Sequence, residues 1–301
     1  MNPPIELRRE RDFGQKINAT FQFAVQNAKP LITCLVYLVV PIALVAGVVG
    51  GLYQSKLFSL LGPNPSSGQR TNPMSQIYSQ FFSPDYWVLL GLTALSGIMM
   101  TLTVCAFLVE YEVAGNRPPA VAQVWQRVRQ HLLSGFGLAL VSLCLTVIGL
   151  FLLFFPGIYI SVVLSLSFMV LVQENASLGT ALSRPFNLIS GKWWSTFGIL
   201  IVTYFIAAIV GYVFQLPAGI LSMLKMFQVL PGDLTIGFII TTMISTVGTV
   251  LLQSLVVLAV AFQYYNLVEK KEGVGLLNDI GQIGQAPQRL TTTHDEEENR
   301  E

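Results

Sequence analysis

Charge is what this chain has least of. Only 11% of its 301 residues are Asp, Glu, Lys or Arg, less than half of the roughly 25% usual in a soluble domain. The net charge is +1, so no attraction to nucleic acid is implied. Histidine is scarcer still, with only His131 and His294. Metal-assisted phosphodiester hydrolysis, which wants carboxylates and histidines clustered around the ions, has no such cluster here. A four-histidine iron site is excluded by the same count. The three cysteines, Cys34, Cys105 and Cys144, all lie in apolar runs. They form no paired framework and match no metal spacing, and they are expected to be buried structural thiols. No Gly-x-Ser-x-Gly elbow and no phosphate-cradling loop is present. The chain is therefore read as a non-enzyme that needs no cofactor.

What replaces charge is hydrophobicity, at 53% of residues. A membrane span needs about 20 apolar residues at 1.5 Å rise each. Six segments qualify: Leu31–Tyr53, Tyr86–Val109, Leu132–Phe154, Gly157–Val172, Trp194–Leu216 and Thr235–Asn266. None contains an ionisable Asp, Glu, Lys, Arg or His. The predicted fold class is an all-α integral membrane protein, a six-span helical bundle. Pro41 is expected to kink the first span. Phe154-Phe155-Pro156-Gly157 is expected to turn the third span tightly into the fourth. The sixth exceeds what a bilayer requires and must tilt or project. Gly47–Gly51 lies within a span, where close helix packing is its role, and Gln253 is expected to hydrogen-bond between helices.

Three stretches before the odd-numbered spans repeat one design. Phe13, Ile17, Phe21 and Val25 recur at helical spacing; so do Val121, Val124, Trp125, Val128 and Leu132, and then Leu178, Ala181, Leu182, Phe186 and Ile189. Polar and cationic residues fill the opposite faces, the profile of a helix lying in a membrane interface. The even-numbered spans end alike, in Leu108-Val109-Glu110, Leu171-Val172-Gln173-Glu174 and Leu267-Val268-Glu269. The chain thus reads as three repeats of an interfacial amphipathic helix plus a transmembrane hairpin.

Fourteen of the seventeen lysines and arginines fall on one side of this topology and three on the other. The positive-inside rule then places both termini in the cytoplasm and the protein in the cell (inner, cytoplasmic) membrane. Residues 1–30 form a cytoplasmic segment, 31–284 the membrane domain and 285–301 a disordered acidic tail. The connection Gln54–Asp85 is expected to be an external, partly irregular loop, and Pro217–Leu234 to lie along the outer interface. The candidate site residues are at the basic side. Arg127, Arg129, Arg184 and Lys192 are placed for anionic headgroups or for structural pairing with Glu110, Glu174 and Glu269. Trp125, Trp193 and Trp194 are interfacial anchors. The expected partners are membrane lipids or another membrane protein. The alternative is a passive carrier or channel for an apolar or amphiphilic molecule; uncharged spans disfavour ion-coupled transport.

One stretch carries a resemblance. Phe155-Pro156-Gly157-Ile158-Tyr159, then Glu174, then Ala181-Leu182-Ser183-Arg184 and Gly191-Lys192-Trp193-Trp194 resemble the membrane-domain family named after glycerophosphoryl diester phosphodiesterases, and related multi-pass bacterial proteins. The likeness covers about 45 residues well and the six-span layout loosely. It implies a membrane domain without the catalytic barrel, which at typically about 250 residues has no room here. Pro185 stands where such proteins often carry Ser, so this helix is expected to break after Arg184.

Overall fold

The computed structural model describes residues 5–61, 73–230 and 232–273. Eleven helices are described: α1 (Phe13–Gln26), α2 (Ala28–Leu38), α3 (Val40–Leu61), α4 (Pro73–Phe81), α5 (Pro84–Val113), α6 (Val121–Leu152), α7 (Phe154–Leu164), α8 (Ser167–Gln173), α9 (Leu178–Ile189), α10 (Trp193–Met226) and α11 (Thr235–Glu272). Among the described residues, six segments are long and apolar enough to cross a membrane. They are Val40–Ser59, Pro84–Val113, Val121–Leu152, Phe154–Gln173 (made of α7 and α8), Trp193–Met226 and Thr235–Glu272. The protein is a multi-pass, all-α membrane bundle.

The helix boundaries have local causes. Pro41 has no N–H to continue the ladder, and the first apolar run divides at Val39 into α2 and α3. The crossing segment therefore starts at Val40 rather than Leu31. Between the third and fourth spans the turn is a single extended residue, Leu153 (φ −155°, ψ 128°). Pro156 and Gly157 do not form that turn. They lie in the first turn of α7, where a missing N–H costs nothing, and Gly157 lets α7 close on α6. A Cβ there would stand 2.6 Å from the Leu150 Cα. The fourth span bends at Ser165 and Leu166, where Ser161 and Ser165 hydroxyls donate to the carbonyls of Ile158 and Val162 and compete with the backbone ladder.

Three expectations are corrected. The second amphipathic stretch is not a separate interfacial helix; it runs straight into the third span as the 32-residue α6. Nothing between Ala120 and Leu152 supplies a helix stop. Pro185 does not break α9, which continues to Ile189. Pro217 likewise sits inside α10, which extends to Met226 instead of leaving Pro217–Leu234 to lie flat. In part of the Gln54–Asp85 connection, α3 runs on to Leu61 and α4 follows, with Lys56 bonded to Asp85 at 2.7 Å. The acidic tail 285–301 lies outside the described residues.

The even-numbered spans form the centre. Within an apolar 18-residue stretch of each, 61% of the second and 56% of the fourth is buried, against 17% of the third and 22% of the fifth. In the sixth, burial is concentrated in the second half, where Leu258 through Glu269 are all buried. The three amphipathic stretches each start with a local cap. The Asp12 and Ala120 backbone N–H groups donate to Gln15 and Gln123, and Ser177 Oγ accepts from the Thr180 N–H. From α1, Phe23 is wholly buried and meets Phe107, Tyr111 and Phe262 edge-on at 5.0–6.3 Å. Ahead of α1, Ile5 and Leu7 are buried in the same core. Arg11 O accepts from Asn266 Nδ2, so the described N-terminal stretch and the end of α11 share one end of the bundle.

Candidate functional site

Two polar regions stand out in an otherwise apolar bundle. The first caps the end where most basic residues lie. Glu110, closing the second span, binds Arg127 of the next amphipathic stretch at 2.5 Å. Glu174, closing the fourth, binds Arg184 of α9 at 2.5 Å and also accepts from the Tyr264 hydroxyl at 2.7 Å. Arg184 reaches on to Glu272 at 2.7 Å. Glu269 is buried and has partners of its own. Glu110 and Glu174 are thus matched to different arginines. What the three even spans bring together is a different set: Gln173 donates to Glu112 at 3.0 Å and accepts from Tyr265 at 2.9 Å. Arg8 closes it, 2.5 Å from Glu112 and over the Tyr265 ring.

The remaining predicted residues differ in exposure. Arg129 and Lys192 are exposed and in no ion pair among the described residues. Trp125 and Trp194 are exposed, Trp194 at 77%. Trp193 is half-buried, stacked between Tyr159 (5.8 Å) and Phe197 (5.0 Å), and donates to the Tyr159 carbonyl. The sequence motif is therefore joined in space: its tyrosine touches its tryptophan and its glutamate touches its arginine. Lys16 was not foreseen. It is only 5% exposed and donates to Gln263 (2.8 Å) and Ser195 (3.0 Å), linking α1, α10 and α11 without a carboxylate. Burial, then the nearby Lys270 and Lys192 charges, lower its ammonium to about 8 despite Asp12. His131 is also buried, with Nδ1 3.0 Å from the Arg127 carbonyl oxygen. Among the described residues, no group of three or more His, Cys, Asp or Glu is placed to hold a metal ion.

The second region lies within the spans. Between α3, α5, α10 and α11 is a cavity of about 490 Å³ whose mainly apolar lining, Leu57, Leu89 and Val250 among it, carries a set of hydroxyl and amide side chains and, among the described residues, no charged one. Some of these groups are satisfied. Gln54 donates to Ser222 and accepts from Thr242, while Ser245 reaches the Phe214 and Thr241 carbonyls. Others are not. Ser96 is 2% exposed and its Oγ, itself covered by protein so that a ligand reaches it only on a turn of the side chain, has no partner among the described residues. Thr249, Gln215 and Gln253 make no side-chain hydrogen bond among the described residues. The expected interhelical bond of Gln253 is absent among the described residues; the residue is exposed and lines the cavity. A smaller space of about 190 Å³ between α10 and α11 shares Gln215, Thr249 and Gln253 and is bordered by Ala207, Ala208 and Gly211. A third, more apolar space of about 370 Å³ lies among α5, α6, α7, α8, α10 and α11.

The sequence held a signal for the larger cavity. Thr242, Ser245, Thr246, Thr249 and Gln253 form a polar stripe at helical spacing within the sixth span. No family model, curated protein or solved structure matches this chain.

Proposed function

We propose that this is a non-enzymatic protein of the cell membrane, with its basic end in the cytoplasm, that binds an amphiphilic molecule taken from the bilayer. The observation that carries the reading is Ser96. A hydroxyl without a partner deep in a membrane bundle is costly unless something else bonds to it. Half-buried Thr249 and exposed Gln215 and Gln253, which make no side-chain hydrogen bond among the described residues, line the same space, and about 490 Å³ falls in the roughly 300–1,000 Å³ range of small-molecule sites. The test is mass spectrometry of the protein extracted with its native lipid annulus, beside an unrelated six-span control. A stoichiometric lipid enriched over the control is expected. An ordinary annulus would refute the reading.

A second reading rests on Arg129 and Lys192, exposed and, among the described residues, in no ion pair at the basic end together with Trp125 and Trp194. Such residues draw anionic headgroups at about 1 kcal/mol per charge. Arg127 and Arg184 are held by glutamates, so the attraction falls to the free pair. Replacing both Arg129 and Lys192 by Gln is expected to reduce enrichment of anionic lipid; unchanged selectivity would dismiss it. Kinship with the glycerophosphoryl diester phosphodiesterase membrane-domain family is part of the proposal. It is supported by the contacts that join the parts of the shared motif.

A further inference from the structure

We infer that the ligand of the cavity between α3, α5, α10 and α11 is an uncharged lipid whose head offers hydroxyl and carbonyl groups, of the diacylglycerol type, approaching sideways between α10 and α11. This rests on the binding function proposed above and narrows it to one chemical class.

Depth is the first argument. Gln253 stands at the middle of the 38-residue α11, and Ser96 lies well inside the 30-residue α5. A head group bonded there sits within the hydrocarbon, where a phosphate without a cation is heavily penalised. Among the described residues, no Lys, Arg or His lines this cavity or the smaller one beside it. The lining is suited to neutral groups: an amide donates and accepts, and a hydroxyl does both.

The unpaired state of Ser96 is the second argument. Its neighbours on α5 return their hydroxyls to the backbone: Thr93 to Leu89, Thr101 to Gly97 and Thr103 to Met99, at 2.7–2.9 Å. Ser96 alone of these does not. The Gln215 and Gln253 amides, each donor and acceptor, have no partner among the described residues. A head with one hydroxyl and two ester carbonyls complements that set. The route is the third argument. Small residues on α10 leave room beside Thr249 and Gln253, and the flanking Tyr204 and Tyr212 are exposed on the outer face. A lipid tail can stay among the surrounding acyl chains while the head moves inward.

The full-length protein is reconstituted in phosphatidylcholine vesicles with photoactivatable diacylglycerol or photoactivatable phosphatidic acid of identical chains, and labelled peptides are mapped. Diacylglycerol is expected to label α5, α10 and α11 peptides about tenfold more than phosphatidic acid. Ser96→Ala and Gln253→Leu are each expected to reduce that labelling severalfold, as loss of a ligand hydrogen bond would. Neither side chain bonds to another described residue, so their removal should leave the thermal midpoint unchanged or raise it. Ala208→Leu, which narrows the gap, should slow labelling. Equal or stronger labelling by phosphatidic acid at these peptides would overturn the neutral class and leave amphiphile binding standing. Labelling of these peptides by neither lipid would overturn both. Full labelling of Ser96→Ala and Gln253→Leu would overturn the assignment of these polar groups to the lipid head.

Discussion

Lys16 allows a prediction in which the sign itself is the test. In the fold its ammonium is held to about 8 against an ordinary 10.5, first by burial and then by Lys270 and Lys192. A lysine lowered by folding binds its proton more weakly in the native state than in the unfolded one. Between pH 8 and 10.5 the unfolded state then carries more protons, so stability rises with pH by about 1.4 kcal/mol per unit. Below pH 8 both states are protonated and the penalty is constant; above 10.5 both are neutral and the curve is flat. Over the whole window the gain is about 3 kcal/mol, or a midpoint rise on the order of 5 °C. The assay is thermal unfolding of the detergent-solubilised protein from pH 7 to 11, beside Lys16→Met. Other groups titrate in this range too, so the quantity read is the difference in slope. Lys16→Met should lose the rise assigned to Lys16 while paying a constant cost for the bonds to Gln263 and Ser195. Parallel curves for the two proteins would refute the account of Lys16 as a buried, destabilised cation.

Other expectations concern packing and pairing. Glu110→Gln and Arg127→Gln should each destabilise by about 1–3 kcal/mol, between exposed and fully buried pairs; the double variant should cost less than the sum, and additivity in the cycle would remove the pair's structural role. Gly47→Leu should lower stability by about 1–3 kcal/mol or more, because even a Cβ there would sit 2.6 Å from the Met243 Cα on α11; an unchanged unfolding midpoint would contradict that crossing. An apolar maleimide should label Cys144, which faces outward, ahead of buried Cys34 and Cys105; equal rates at all three would contradict this arrangement.

The membrane class was legible because the hydrocarbon imposes a length and a composition that survive without knowledge of contacts. The kink at Pro41 was legible for the same kind of reason, since a missing donor acts locally. Pro185 and Pro217 show the limit of that logic: in a packed bundle, neighbours hold a helix through a proline that a lone helix would not tolerate. Cys144 shows another, as a thiol in an apolar run can face lipid as well as core. Pairing of Glu174 with Arg184 followed from a motif joining neighbouring elements. The meeting of Arg8, Glu112, Gln173 and Tyr265 did not, because it combines four distant stretches at positions just off the repeated Leu-Val ends. Gln253 was misread for a related reason. Taken singly, an amide in a span is best satisfied by another helix; only with Thr242, Ser245, Thr246 and Thr249 does its stripe delimit a cavity.

The two ends of the bundle differ in a way that bears on how a ligand would come and go. At the basic end the second, fourth and sixth spans are buried and joined by Glu112, Gln173 and Tyr265, with α1 and the stretch before it locked across them. Opening that end would expose several charges and rings at once, so it moves as a unit or not at all. Beside the cavity α10 leaves a local gap against α11, and Gly211 puts no side chain against Leu252. A displacement of α10 there breaks the bonds of Ser245 to the Phe214 carbonyl and of Gln54 to Ser222, whereas Gln215 and Gln253 have none to lose among the described residues. Exchange with the bilayer would then require one helix to move while the basic end stays closed. A covalent link between α1 and α11 should consequently leave labelling of the cavity intact, whereas a link between α10 and α11 beside Ala208 should abolish it.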